Sequence, residues 1–299
     1  MSFVNLDGKK VYYEEYGDKN NKTIVYFHGG PGESCLSYTY QAKVLGENHH
    51  VISFDQYGVF RSDALPENEA FGVCDQVELI EKMRIALGIN SWIPLGHSYG
   101  GMLACQYAYM YPDSTDAVIY DCPMWNVLLT SKTIASATLP FYEMNGMDEK
   151  VKVCKEILSD SITPKEAFDK AMSLEMDEQL QKFCHVIDRN AYEKYMTDFI
   201  PQVDVPEEDW YKYINFTKML LAKGDYYDDY LCRLSEIKKP SLLIVGEYDM
   251  TCGKDQQEWF CKNSENGKFI MLEKSAHLSW FEFPQKYTQI INEFVNSIK

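Results

Sequence analysis

The chain has 299 residues, 45% of them apolar, so it can bury a full core without disulfide or metal staples. Its formal charge of −16 excludes a nucleic-acid partner, because phosphate backbones are gripped by clustered Lys and Arg that release counterions. Nine scattered cysteines without a CxxC pair, and no run of about 18 apolar residues, set the expectation of a cytoplasmic protein with reduced structural thiols and no membrane span.

In chain order, short β-branched or aromatic runs come first: VYYEEYG, TIVYFHG, VISFDQYG, WIPLGHS and AVIYDCP. Helical stretches separate several of them. Asp75 to Leu87 places Val77, Ile80, Met83 and Leu87 at helical spacing, and Tyr99 to Tyr111 reads as a second helix. Strands alternating with helices predict an α/β fold with a mainly parallel sheet covered on both faces, the first run or two antiparallel at its edge. From about Met124 to about Leu234 the strand signal disappears, and helix formers, acids and aromatics predict an inserted helical cap. The α/β rhythm then returns. SLLIVGEYD reads as a strand, KDQQEWFCK as a helix, KFIMLEKSAH as a strand, and PQKYTQIINEFVNSIK as a closing amphipathic helix with Pro in its first turn. The expected division is a core of residues 1–123 and 236–299 interrupted by a cap of residues 124–235.

The sharpest local signal is Gly96-His97-Ser98-Tyr99-Gly100-Gly101, set between a strand and a helix. In that context GxSxG describes a sharp, strained turn that lifts a serine hydroxyl above the sheet, with glycines where side chains would collide with the neighbouring elements. A serine hydroxyl is a weak nucleophile near neutrality and needs a base within hydrogen-bond reach and an acid to orient that base. In the α/β-hydrolase arrangement the chain order is Ser, acid, His. Asp249, directly after SLLIVGEY, and His277, after KFIMLEKSA, have those addresses; Glu247, two residues earlier, would still lie within or at the end of the strand, so Asp249 is the preferred acid. Among the other histidines, His28 and His97 lie in other motifs, His49 and His50 in a polar turn, and His185 in the cap. An acyl-transfer site also needs donors for the oxyanion. His28-Gly29-Gly30-Pro31-Gly32 follows a strand and offers the Gly30 N–H, and Tyr99 supplies a second N–H after the nucleophile.

Four motifs then coincide in order: HGGPG at 28–32, FDQYGVFRS at 54–62, GHSYGG at 96–101, and VGEYD with SAH at 245–249 and 275–277. Together they resemble the proline iminopeptidase family of serine peptidases, the tricorn-interacting aminopeptidase branch most closely. The resemblance implies the α/β-hydrolase fold with an eight-stranded sheet and a helical cap. It further implies an acyl-enzyme route that releases an N-terminal residue, with Gly30 and Tyr99 as oxyanion donors. Three positions depart from the family pattern. Met250 stands where that branch has an amine-binding Glu after the triad acid, and Lys218 falls near its second amine-binding Glu. Phe60 replaces the second glycine of the DQxGxGxS loop. Glu33 beside the oxyanion turn, or Glu207, Glu208, Asp209, Asp225, Asp228 and Asp229 in the cap, are the acids left to hold an ammonium. Phe60, with Trp210, Tyr211, Tyr213, Tyr226 and Tyr227, points to an aromatic-lined pocket for an apolar group.

The leading expectation is a serine hydrolase that removes a small N-terminal aminoacyl group from a small molecule or short peptide. A carboxylesterase or lactonase on an uncharged substrate is the alternative favoured by Met250 and Lys218, and a non-catalytic binding protein on the same fold is a third. Epoxide hydrolysis and dehalogenation want a carboxylate where Ser98 stands. With no HExxH and no Cys/His cluster in the sequence, no metal or other cofactor is expected.

Overall fold

The computed structural model describes residues 2–175, 186–199 and 203–298. Cys184 and His185 lie outside the described residues. Eight strands form one sheet in the order β1-β2-β4-β3-β5-β6-β7-β8. They are β1 (Ser2–Leu6), β2 (Lys9–Tyr16), β3 (Thr23–Phe27), β4 (His50–Phe54), β5 (Ile93–His97), β6 (Val118–Asp121), β7 (Ser241–Gly246) and β8 (Gly267–Leu272). β1 and β2 run antiparallel at one edge, and from β4 to β8 every pairing is parallel.

The reading from sequence missed β1. Its partner is set by the Asp7-Gly8 turn, whose φ values of 55° and 88° suit a two-residue hairpin in which both central residues adopt the left-handed conformation. The Asp-Gly pair was the available signal.

Strands β3 to β7 are buried on both faces, and the period-2 alternation of side chains divides them between two cores. Ile24, Tyr26, Val51 and Ile93 face the helices α1 (Thr39–Leu45) and the amphipathic C-terminal helix Pro284–Ser297, through Tyr38, Leu45, Tyr287 and Ile291. Val25, Phe27, Ile52 and Phe54 face the opposite layer, α2 (Val73–Ala86) and α3 (Tyr99–Met110), through Val77, Ile80, Met102 and Leu103.

Between β6 and β7 the described residues hold five α-helices and no strand: α4 (Val127–Met144), α5 (Asp148–Ile157), α6 (Pro164–Glu175), α7 (Arg189–Phe199) and α8 (Lys212–Lys223). Helices α4 to α6 bury a small core of their own around Ala135, Tyr142, Cys154, Ile157 and Leu174. Polar contacts fasten this region to the sheet layer. The Asp225 carboxylate accepts the free N–H groups of Val73 and Cys74 at the start of α2, at 3.0 and 3.1 Å, capping that helix from outside. Lys212 donates to the Phe60 and Ser62 carbonyls at 2.9 and 2.7 Å.

The eight described cysteines are all free. Among the described residues, no helix is long and apolar enough to cross a membrane.

Close backbone approach dictates the glycines around Ser98. A Cβ on Gly100 would lie 2.0 Å from the Phe27 carbonyl oxygen, and one on Gly101 would lie 2.4 Å from Pro123 Cβ. Gly101→Ala is therefore expected to destabilise the fold by roughly 1–3 kcal/mol, the usual cost of overpacking, and a denaturant midpoint measured beside the wild type checks it.

Candidate active site

The turn that carries Ser98 is strained and held from both sides. Ser98 has φ 54° and ψ −119°, a conformation that a non-glycine residue keeps only when its surroundings over-determine it, at a cost of about 1–3 kcal/mol. Its N–H donates to the Asp121 carbonyl on β6 at 3.0 Å, and its own carbonyl accepts from Met124 at 3.0 Å and Gly101 at 2.9 Å. These bonds fix the backbone at the C-terminal end of β5, where open α/β sheets place their ligand sites.

Two later loops deliver the other predicted groups to the same end of the sheet. Asp249 follows β7, and its carboxylate accepts from the Thr251 and Cys252 N–H groups at 3.1 and 2.8 Å. It also meets His277 Nδ1 at 2.7 Å, so that nitrogen carries the proton. Glu247, the other acid considered, instead accepts from the Lys274 N–H at 2.8 Å in the turn after β8. Glu282 holds the loop before His277, accepting from Ala276 N–H at 2.6 Å and the Ser275 hydroxyl at 2.8 Å.

Burial of His277 would by itself depress its pKa. The charge and hydrogen bond of Asp249 oppose this, with smaller contributions from Asp121 and Glu33, and leave the imidazole raised above its usual value.

The loop at 28–33 is fastened from below. Neutral His28, its pKa lowered by burial, donates through Nδ1 to the Gly29 carbonyl and accepts the Gln56 N–H on Nε2, both at 3.0 Å. Asp55 is fully buried, which would raise its carboxyl, yet Arg61 beside it together with the Ser34 hydroxyl holds it below the usual range. It accepts from Arg61 Nε at 2.7 Å, the Ser34 hydroxyl at 2.7 Å and the Cys35 N–H at 3.0 Å. This network anchors the segment immediately after Glu33.

Ser98, His277, Gly30 and Glu33 line one cavity of about 380 Å³, whose apolar wall includes Met124, Ile134, Phe168 and Tyr226. Tyr99 turns its side chain away into the core, where its hydroxyl accepts from Gln76 Nε2 at 2.7 Å, so its main-chain N–H is the part near the turn. Glu33 is the one carboxylate among the described lining residues.

The remaining acids considered for an ammonium go elsewhere. Asp225 caps α2, Asp229 accepts the Leu231 N–H at 3.0 Å, and Asp209 pairs with Lys212 at 2.8 Å. Asp228 faces Arg233 at 4.0 Å, and Glu207 and Glu208 are exposed.

Both positions compared with the family's amine-binding acids also lie off this cavity. Met250 packs against the core of α4 to α6, and Lys218 is exposed on α8 while its neighbour Thr217 lines the wall. A carboxylate at 250 would meet apolar side chains there. Phe60 and Trp210, expected in one aromatic-lined pocket with Tyr213 and Tyr226, line an adjoining cavity with Tyr213, their rings 4.4 Å apart, while Tyr226 lines the Ser98 cavity.

Several residues escaped the reading from sequence. His97 Nδ1 donates to Asp121 at 2.9 Å, Asp121 accepts the Ser279 hydroxyl at 2.7 Å, and the His97 ring lies 4.7 Å from that of His277. The available signal was an acid at the C-terminal end of the buried strand VIYD. Cys122 comes next, and its sulfur lies within 4.8 Å of ligand atoms of Asp249 and His277, the single such cluster among the described residues. Asp249 and His277 satisfy each other, and burial pushes the Cys122 thiol well above its usual range, so the trio is poorly suited to a metal.

Residues 22–162 match the family described as alpha/beta hydrolase fold. The chain has the α/β-hydrolase fold. Over its full length the chain is similar to curated proline iminopeptidases. It is 27% identical to one from Heyndrickxia coagulans, covering 99% of this chain and 98% of that one. It is 25% identical to one from Saccharolobus solfataricus, covering 99% and 92%. Among solved structures, a proline iminopeptidase-related protein from Thermus thermophilus superimposes with a TM-score of 0.78 at 21% identity, covering 99% of this chain and 97% of that one.

Neutral imidazole is the form that can take a proton, so reaction at Ser98 should rise with pH through the raised pKa of His277. Glu33→Gln removes one negative charge that raises this pKa. The pH midpoint for inactivation by a fluorophosphonate should therefore move to lower pH, as read from inactivation rates between about pH 5 and about pH 9, a range that brackets the usual histidine value and extends further above it.

Proposed function

We propose that this protein is a serine hydrolase that releases a small N-terminal aminoacyl group from an amide or short peptide through an acyl-enzyme. The observation that carries the reading is the meeting of three features in one cavity: a serine on a strained turn, an imidazole oriented by a buried carboxylate, and Glu33, the one carboxylate among the described lining residues. The full-length similarity to proline iminopeptidases supports the same substrate class.

In this mechanism His277 takes the proton of Ser98 as the hydroxyl oxygen attacks the carbonyl carbon, and Asp249 stabilises the imidazolium that forms. The N–H groups of Gly30 and Tyr99 receive the developing oxyanion, a donor set in which each member is worth about 2.7–4 kcal/mol of transition-state stabilisation. His277 then protonates the leaving nitrogen. Water attacks the acyl-enzyme by the same route in reverse and frees Ser98. Glu33 holds the substrate ammonium, which would otherwise enter a largely apolar cavity unpaired. The described wall of that cavity, with Met124, Ile134, Phe168 and Tyr226, suits an apolar side chain on the acyl residue.

A second reading, hydrolysis of an uncharged ester or lactone, is favoured by the same apolar wall and by Met250 facing the helical cluster. Ester and amide cleavage share the tetrahedral intermediate, so holding the amine is what separates the two.

Ser98→Ala should lower kcat/KM on leucyl p-nitroanilide by at least about a thousandfold; turnover at the wild-type rate would refute the scheme. In a side-by-side assay, Glu33→Gln should raise KM for the unblocked anilide at least about tenfold and leave p-nitrophenyl butyrate little changed. Turnover of p-nitrophenyl butyrate with none of either the leucyl or the N-acetyl-leucyl anilide would select the ester reading.

A further inference from the structure

We propose that the cavity lined by Phe60, Trp210 and Tyr213 is the leaving-group site, and that it takes an aromatic side chain on the residue that follows the scissile bond. This inference rests on acyl transfer at Ser98 as set out above.

The cavity measures about 180 Å³ and adjoins the Ser98 cavity across the 30–33 loop: Gly30 and Pro31 line the Ser98 side, Gly32 lines the other, and Glu33 and Tyr213 line both. A substrate whose carbonyl sits at Ser98 has two arms. One occupies the larger chamber beside Met124 and Phe168. The other must leave past the loop, where the neighbouring chamber begins.

Its walls point to a flat ring. Phe60 and Trp210 stand 4.4 Å apart at a tilt of 53°, and Tyr213 adds a third aromatic face. Aromatic pairs of this kind favour a further ring in an edge-to-face or offset position. The volume is of the right order, since an apolar cavity of about 150 Å³ accepts benzene. The chamber's charge sets a second condition. Asp209 in its lining is already paired with Lys212, and the described lining contains no cation, so a free carboxylate on the leaving residue would find no partner there. The fitting leaving group is therefore an aromatic residue whose own carboxyl is amidated or carried further along a peptide.

The backbone at Phe60 supports a purpose for the ring. Phe60 sits at φ 44°, in the left-handed region, where a bulky residue is an outlier and glycine is at ease. Arg61 packs on the ring at 5.1 Å, and Lys212 holds the Phe60 carbonyl at 2.9 Å. The fold thus holds a strained aromatic residue at the wall of a cavity beside the reacting serine, a pattern that marks a ligand clamp.

The test compares three substrates with one acyl group: Leu-Phe-NH2, Leu-Gly-NH2 and Leu-NH2. In the wild type, kcat/KM for Leu-Phe-NH2 should exceed that for Leu-Gly-NH2 and Leu-NH2 by about tenfold or more, and unamidated Leu-Phe should be poorer than its amide. Phe60→Gly, which relieves the left-handed strain, and Trp210→Ala, at a half-buried position, should each reduce the Phe-to-Gly ratio at least about fivefold. A ratio is read because it is insensitive to a general loss of activity. Fluorophosphonate labelling of Ser98 needs no leaving-group site and reports acyl-transfer competence separately. Labelled enzyme with a ratio near one, or a ratio unchanged in both variants, overturns the leaving-group site alone. An enzyme that neither labels nor turns over overturns the acyl-transfer reading and this inference with it.

Discussion

Everything at the candidate site depends on the backbone at Ser98 being forced into a conformation that serine does not choose. The forcing comes from three directions. Gly96 and Gly100 pass so close that a Cβ on Gly96 would sit 2.1 Å from the Gly100 carbonyl oxygen, the start of α3 presses on β3, and the Ser98 N–H is tied to β6. The turn therefore has no room to relax. Its strain is balanced by the packing of the parallel strands around it, which are buried on both faces.

The same geometry explains where the charges go. The C-terminal ends of β3, β5, β6, β7 and β8 lead into the segments that carry Glu33, Ser98, Asp121, Asp249 and His277. Three acids thereby act on one buried imidazole. Each is in turn placed by backbone or side-chain donors: Asp249 by two N–H groups, Asp121 by His97 and Ser279, and Glu33 through the Asp55–Arg61 network below the next residues. Such outer contacts keep a reacting group in one orientation without a rearrangement cost at the moment of reaction.

Outside the sheet, the helical region contributes walls. Phe168 and Tyr226 face the serine, and Trp210 and Tyr213 face Phe60. Asp225, one of the cap acids considered for an ammonium, serves instead to bind this region to α2, and Lys212 binds it to the 60–62 loop. A half-buried polar group satisfied by main chain in this way has little left to offer a substrate.

By itself the sequence determined the alternation of strands and helices, the strained serine turn and the order of Ser98, Asp249 and His277, because hydrophobic period, glycine placement and chain order are local or linear properties. The short edge strand β1 escaped because an exposed five-residue run carries a weak periodic signal. Tertiary structure alone decided that Glu33 faces the serine while Met250 faces the helical core, and that His97 and Asp121 back the imidazole. Each of those outcomes turns on the direction of a side chain leaving a loop, which is set by packing against segments tens to hundreds of residues away and leaves no mark in local spacing.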